Sequence, residues 1–311
     1  MTNRALRIGT RGSPLALAQT ALVREALVAA EPGLGAAGAL DVQLIRTTGD
    51  IAGDRPLAEI GGKGLFTKEI DEALAAGRID LAVHSMKDVP TWLPGGQVIG
   101  AYLAREDPRD AWIAREGLGL GDLAAGSVVG TSSLRRAAQV RYRRPDLRVV
   151  PFSGNVGTRL DKLARGEADA TLLALAGLRR LGREDVATAI LDAEEMLPAI
   201  AQGAIGIACR ADDARTRALL ACIDHPATAR AIAAERALLA GLDGSCRTPI
   251  AGLAEPAPGG RLVLRGLLAK PDGSAVVADR AEAPATDAEA LGAALAERLL
   301  ARAGAGFLAA E

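Results

Sequence analysis

The residues best placed to do chemistry are the adjacent cation and carboxylate of Val83-His84-Ser85-Met86-Lys87-Asp88-Val89-Pro90. The apolar run before them reads as a buried strand, so both charges arrive at its carboxyl end, where open α/β sheets bind ligands. Unpaired charge is costly to bury, so each group needs a partner from the protein or from a ligand. In the functional reading Asp88 faces a developing cation and Lys87 holds a ligand carboxylate. The structural alternative is an ion pair or a turn-forming aspartate. His84 reads as a packed strand histidine.

Four further polar clusters follow strands or open helices. Thr10-Arg11-Gly12-Ser13-Pro14 offers a helix N-terminus, whose free N–H groups and partial positive charge suit a carboxylate, with Arg11 beside it. Gly61-Gly62-Lys63-Gly64-Leu65-Phe66 lacks both the spacing of a phosphate loop and the hydroxyl after its lysine, and reads as a glycine-rich loop. Gly130-Thr131-Ser132-Ser133-Leu134-Arg135-Arg136 gathers three hydroxyls and two guanidinium groups at one helix start, a dense anion site. Adjacent helical residues point about 100° apart, so the two arginines are expected to serve different groups. Phe152-Ser153-Gly154-Asn155-Val156-Gly157-Thr158-Arg159 is another strand-to-helix turn with an early arginine, and Arg179 and Arg180 follow a further strand. So many cations at one crevice suit a polycarboxylate better than a single phosphate.

Asp243-Gly244-Ser245-Cys246-Arg247 places one cysteine in a glycine-containing turn beside an arginine that favours its thiolate, whereas Cys209 and Cys222 read as inert. Three cysteines and two histidines, with no Cys-x-x-Cys, argue against a disulfide framework and a zinc site. No Ser-His-Asp or Cys-His arrangement supports a hydrolase. Lys plus Arg is 37 against 38 for Asp plus Glu, so no net charge attracts nucleic acid or an anionic membrane. Only Lys63, Lys68, Lys87, Lys162 and Lys270 among the cations are lysines, so an isolated arginine means little. The absence of a long apolar stretch or signal-like core leads to the expectation of a cytoplasmic protein with reduced thiols.

Alternating apolar runs and amphipathic stretches must position these clusters, and they indicate α/β domains with largely parallel sheets. Strands are expected at Arg7–Thr10, Val42–Thr47 and Leu81–His84, and helices from Ser13 and over Leu65–Ala76. After a compositional change at Arg105–Asp110, a second set follows. It has strands at Ser127–Thr131, Arg148–Phe152 and Ala168–Ala174, and helices from Ser133 and at Val156–Arg165. The apolar Leu197–Cys209 reads as a buried return. A helical stretch around Ala227–Leu242 precedes a β-hairpin of Leu262–Leu268 and Ala275–Ala281. A final helix with Leu291, Leu295 and Leu299 in register completes a small α+β domain.

Taken together, these strings resemble the porphobilinogen deaminase family. The match runs through Arg11–Gln19, Gly61–Phe66, His84–Pro90, Gly130–Arg136, Gly154–Leu160, Ala176–Gly182, Gln202–Ala204 and Gly244–Cys246. The resemblance implies an α/β fold of two type II periplasmic-binding-protein-like domains plus a small α+β C-terminal domain. The expected boundaries are 1–104 plus 198–222, 105–197 and 223–311. It implies a transferase that joins four porphobilinogen molecules head to tail into hydroxymethylbilane, with release of ammonia, in tetrapyrrole biosynthesis. A dipyrromethane cofactor would be attached by a thioether to Cys246. Asp88 would be the catalytic carboxylate. Lys87, Thr131, Ser132, Ser133, Arg135, Arg136 and Arg159 would hold the cofactor, and Arg11, Ser13, Arg159 and Arg180 the substrate. The resemblance also suggests a monomer.

Two positions depart from the family pattern. Ser153 stands where the pattern before Gly154-Asn155-Val156 carries a substrate-binding arginine, so elongation is expected to be slowed. Glu59 stands where some relatives carry lysine, in the presumed loop, and carries little weight. Two rival readings are a two-lobed protein that only captures a carboxylate ligand, and a relative that assembles cofactor without elongating.

Overall fold

The computed structural model describes residues 4–51, 64–242, 249–304 and 306–307. In chain order the first elements are β1 (Leu6–Thr10), α1 (Pro14–Ala30), β2 (Leu40–Leu44), α2 (Lys68–Ala75), β3 (Leu81–Ser85) and β4 (Gln97–Tyr102). Then come β5 (Asp110–Ala114), β6 (Val128–Gly130), α3 (Leu134–Arg143), β7 (Arg148–Val150), α4 (Val156–Ala164), β8 (Ala170–Ala174), α5 (Leu175–Arg180) and β9 (Ala189–Ile190). The chain continues through β10 (Ile205–Arg210), α6 (Ala214–Ala221), α7 (Pro226–Gly241), β11 (Ile250–Ala257), β12 (Arg261–Ala269), β13 (Val276–Pro284) and α8 (Ala288–Ala303).

The chain divides into two compact units. The first takes the described residues up to Glu106 together with Gly203–Ala229, and the second takes Asp107–Gln202 and the described residues from Arg230 onward. The first unit is built on a five-stranded sheet of order β2-β1-β3-β10-β4. Strands β1, β2 and β3 run parallel, while β10 is antiparallel to both its neighbours. Leu6, Ile8, Leu81, Val83, Ile205 and Ile207 pack with Val23 and Leu27 of α1 to form its core.

The second unit repeats this plan with the order β7-β6-β8-β5-β9, in which β5 is the antiparallel member. Each sheet is therefore the core of a mixed α/β lobe. The second unit also carries an antiparallel sheet, β11-β12-β13, with Leu291, Leu295 and Leu299 of α8 buried at 5%, 0% and 0% exposure. This is the α+β portion read from the hairpin and the leucine register. On another side, Ala251 and Leu253 of β11 pack with Ala193 and Leu197 of the same unit.

Several boundaries differ from expectation. Strand β2 ends at Leu44, and a helical turn follows at Thr48–Ile51. Helix α2 begins three residues later than expected because Leu65–Thr67 forms a turn, although Ile70 and Leu74 are fully buried. A single 3₁₀ turn, Met86–Asp88, fits between β3 and Pro90. Strands β4, β5, β9 and β11 and helices α5 and α6 had no counterpart in the sequence reading.

Candidate active site

In the first unit, Ser13 caps α1 as its sequence demands. Its backbone is extended, its Oγ accepts the Ala16 N–H at 3.3 Å, and Pro14 occupies the first turn. Arg11, in the turn between β1 and this cap, is bound to Asp50: its Nε donates to Oδ1 at 3.1 Å and its Nη2 to the same oxygen. The guanidinium carbon also lies 4.2 Å from the centroid of the Phe66 ring. Burial pushes the Asp50 carboxyl up, but Arg11 and the hydrogen bonds from Thr47 outweigh it and hold the group below its ordinary value.

Strand β3 delivers His84, Ser85 and then the turn bearing Lys87 and Asp88. The Met86 N–H donates to Ala204 O at 3.0 Å, which ties that turn to the approach of β10. Gly206 of β10 pairs with His84, and a Cβ there would fall 2.1 Å from Met86 Sδ, so a larger residue would have to displace the Met86 side chain. Arg11, Ser13, Gln19, Phe66, His84 and Asp88 are among the residues lining one cavity of about 390 Å³, a volume that includes space open to solvent. Arg11, Ser13 and Asp88 are thereby brought together. Lys87 is exposed and is not among the lining residues. His84 is packed as expected, yet it also lines the cavity. Burial disfavours its imidazolium, and the charge of Arg11 adds to this, so its pKa falls to about 4 and the ring is neutral near pH 7.

In the second unit, Thr131, Ser132 and Ser133 lie between β6 and α3. Each hydroxyl oxygen accepts a backbone N–H: Ser133 N to Thr131 Oγ1 at 3.2 Å, Phe152 N to Ser132 Oγ at 2.8 Å, and Arg136 N to Ser133 Oγ at 3.4 Å. The backbone thus orients all three, and each keeps an O–H proton to donate. The expectation that Arg135 and Arg136 serve different groups is corrected. Both are about 95% buried and both pair with Asp110, Arg135 Nη1 at 2.8 Å from Oδ2 and Arg136 Nη2 at 2.7 Å from Oδ1. Their side chains are long enough to converge from different faces of the helix onto one fully buried carboxylate. Arg135 also donates to Leu197 O, and Arg136 to Leu172 O. Gln202 Nε2 donates to Asp110 Oδ1 at 2.9 Å. Burial pushes the Asp110 carboxyl up, but the two guanidinium groups dominate and hold it well below the carboxylate range. Removing one partner of such a buried set costs about 3–5 kcal/mol. Asp110→Ala is therefore expected to lose about that much stability in urea unfolding; a loss below about 1 kcal/mol would mean the pairing is dispensable.

Asn155 caps α4 through Thr158 N, and Arg159 follows in the first turn of that helix. Its pKa is lowered to about 10, first by burial and then by the charge of Arg136, so it remains protonated at neutral pH. No carboxylate offsets this, and its Nε is buried without a hydrogen-bond partner among the described residues. Arg180 is the last residue of α5 and is half-buried. The Ser153 backbone oxygen accepts Lys162 Nζ at 3.2 Å, which places an ammonium group at the turn where the family pattern carries arginine. Cys246, Lys63 and Glu59 lie outside the described residues.

Asp110, Gln202 and Gln19 were missed as site-associated residues. For Gln19 a signal existed: it interrupts the apolar face Ala16, Val23, Leu27 of α1. Asp110 and Gln202 gave none, because their partners lie 26 and 92 residues away.

The chain matches two family models. "Porphobilinogen deaminase, dipyromethane cofactor binding domain" covers residues 6–218, and "Porphobilinogen deaminase, C-terminal domain" covers 229–301. Porphobilinogen deaminase of Paracoccus denitrificans is 58% identical over 97% of this chain and 96% of its own length. The chloroplastic porphobilinogen deaminase of Oryza sativa is 57% identical over 87% of this chain and 76% of its own. Among solved structures, a TRAP periplasmic solute binding protein of Desulfovibrio salexigens is similar at 10% identity and a TM-score of 0.43, covering 72% of each chain. Family models spanning most of the sequence and relatives this similar over nearly its whole length give one conclusion: the chain belongs to the porphobilinogen deaminase family.

Proposed function

We propose that this chain joins four porphobilinogen molecules head to tail into hydroxymethylbilane, with Asp88 as the catalytic carboxylate and Cys246 as the attachment point of the dipyrromethane cofactor. The transferase class and the cofactor follow from the family; the residue roles are the proposal. The observation that carries it is the charge balance of the second unit. Arg135, Arg136 and Arg159 cluster where only Asp110 offsets them among the described residues. An excess of part-buried positive charge calls for an anionic ligand, and each pyrrole brings an acetate and a propionate arm. The cofactor fits this place. Arg159 has an unmatched Nε, and Thr131, Ser132 and Ser133 keep donor protons for carboxylate oxygens. Since Arg135 and Arg136 spend part of their donor capacity on Asp110, they would hold the cofactor as a pre-set pair. When bound, the cofactor supplies the pyrrole carbon on which the product grows.

At Asp88 the chemistry is charge stabilisation. As the aminomethyl C–N bond of porphobilinogen breaks, the pyrrole nitrogen lone pair moves into the ring system, ammonia departs, and a positively charged azafulvene remains. A carboxylate facing the pyrrole N–H lowers the energy of that cation and manages proton transfer to the leaving amine. Arg11 pairs with Asp50 and not with Asp88, so the carboxylate is left for the substrate. Arg11 and the Ser13-capped helix start would receive a substrate carboxylate, and Arg180 another. Lys87 would contribute to cofactor binding from its exposed position.

We place domain boundaries at 1–104 plus 198–222, 105–197 and 223–311; the gap between the two family models supports the last of these boundaries. We further propose a cytoplasmic monomer; among the described residues no helix is long and apolar enough to cross a membrane. Intact mass tests the whole reading. The purified chain should exceed its sequence mass by two pyrrole units and should release hydroxymethylbilane from porphobilinogen. Cofactor without product would favour a non-elongating relative, and neither would favour a binding protein.

Ser153→Arg should raise the steady-state rate. A charge-assisted hydrogen bond contributes roughly 1.5–3 kcal/mol, which corresponds to an upper limit of about 10–100-fold. Lys162 already stands at this turn, so the gain should fall toward the lower end. Equal rates would show that the missing guanidinium does not limit elongation.

A further inference from the structure

Helix α1 buries Ala16, Gln19, Thr20, Val23 and Leu27 along one face. Two of these are polar, and they fare differently. Thr20 Oγ1 donates to Ala16 O at 2.8 Å and is matched within the helix. Gln19 is 3% exposed, and its Nε2 is buried with no hydrogen-bond partner among the described residues. Leaving a buried amide donor unmatched is unfavourable, so a glutamine at a core position of a helix needs another reason to be there. The cavity supplies one: Gln19 lines it together with Ser13, His84 and Asp88.

Arg11 and Ser13 on this wall are assigned above to one acid arm of the pyrrole, and Gln19 stands beside them as a further donor. The Arg11 guanidinium is turned to Asp50 and lies against Phe66. Ser13 Oγ accepts from Ala16 N. Asp88 is itself acidic and repels a carboxylate. Gln19 supplies a neutral donor without a partner among the described residues, and rotation of its terminal amide, a broad and soft torsion, turns that donor toward a ligand.

We infer that Gln19 is a substrate-positioning residue, whose side-chain amide donates to a carboxylate oxygen of the pyrrole bound beside Asp88. The inference rests on the reaction assigned above. A neutral donor suits this place because it grips the acid arm without adding a cation next to Asp88, whose negative charge the reaction uses. The competing occupant of the unmatched amide is an ordered water, which would stabilise the fold without touching substrate.

Two variants separate these cases. Gln19→Met keeps length and approximate volume but has no donor, and Gln19→Glu keeps the shape but adds negative charge. Thermal midpoints and intact masses of the holoproteins are compared first. Porphobilinogen Kd is then measured by calorimetry in an Asp88→Asn background, where turnover is strongly slowed, and KM and kcat are measured in the native background. Gln19→Met should keep its cofactor mass and a midpoint equal to or above native. Its Kd should weaken about 10–100-fold, the range for a hydrogen bond to a charged acceptor, with KM rising in step and kcat moving less. Gln19→Glu should weaken Kd further by like-charge repulsion.

A midpoint that falls while Kd and KM stay native would assign Gln19 to the fold and overturn the inference. Substrate binding by Gln19→Glu at native strength would overturn it too, by making the side chain an acceptor. Because Kd is read where turnover is strongly slowed, the two readings fail separately. A native chain that makes no hydroxymethylbilane counts against the reaction, whereas a native Kd in Gln19→Met counts against Gln19.

Discussion

Replacing Asp88 by asparagine is expected to lower kcat for porphobilinogen by about 10²–10⁴-fold, the range for losing a positioned acid–base group. The amide keeps the size of the carboxylate and its capacity to accept one hydrogen bond, but it loses the charge. Binding of the neutral pyrrole ring and its acid arms draws on other groups of the cavity, so Kd should change less than about tenfold. The asymmetry is the signature: an interaction that strengthens only as the ring becomes positive appears in kcat and leaves the ground state alone. Single-turnover release of ammonia, compared with calorimetric binding, measures both sides. A variant whose turnover stays within tenfold of native would remove this carboxylate from the chemistry. His84 does not rescue such a loss, because its pKa of about 4 leaves it neutral and without a negative charge to offer.

Cys246→Ser is expected to be more severe in outcome: complete loss of the mass excess and of product. A thiolate is a far stronger nucleophile than a serine hydroxyl at neutral pH, and an adjacent Arg247 favours the thiolate further. Without the tether there is no primer for elongation. The chain provides its own controls. Cys209 is buried in β10, where burial pushes its thiol up, and Cys222 is exposed at the end of α6. Serine at either position should leave the mass excess intact. Persistence of the excess in Cys246→Ser, or its loss in Cys222→Ser, would move the attachment site.

Much of the site was legible because its signals are local. Ser13 and Ser133 announce helix starts by residue type alone, and both side chains make the capping bond. The apolar Leu81–Val83 run before Lys87-Asp88 sufficed to place a carboxylate at a strand end. The legible elements were those with a clean period, such as the Leu291, Leu295, Leu299 row. Strand β4 was not, because Gln97 and Gly100 break its apolar alternation and its bonds are supplied by β10, more than a hundred residues later. The Arg135–Asp110–Arg136 set failed for a related reason. Helical geometry correctly separates the two arginines at their Cα atoms, but two long flexible side chains can reunite at one carboxylate from a distant strand. Local pattern determines where a side chain starts, and tertiary packing determines where it ends.

The position of β10 within the first sheet has a consequence for how the polypeptide emerges from the ribosome. Its hydrogen-bonding neighbours β3 and β4 are translated about a hundred residues ahead of it, and among the described residues β4 bonds to no other strand. The turn carrying Asp88 leans on Ala204 and Gly206, so this corner of the nascent chain stays unfinished while β5 through β9 are made. N-terminal portions generally fold first during synthesis, but here the earliest-made sheet must wait for a latecomer. Closing so long a loop is slow, and an exposed strand edge during that delay is a target for chaperones and for misassociation.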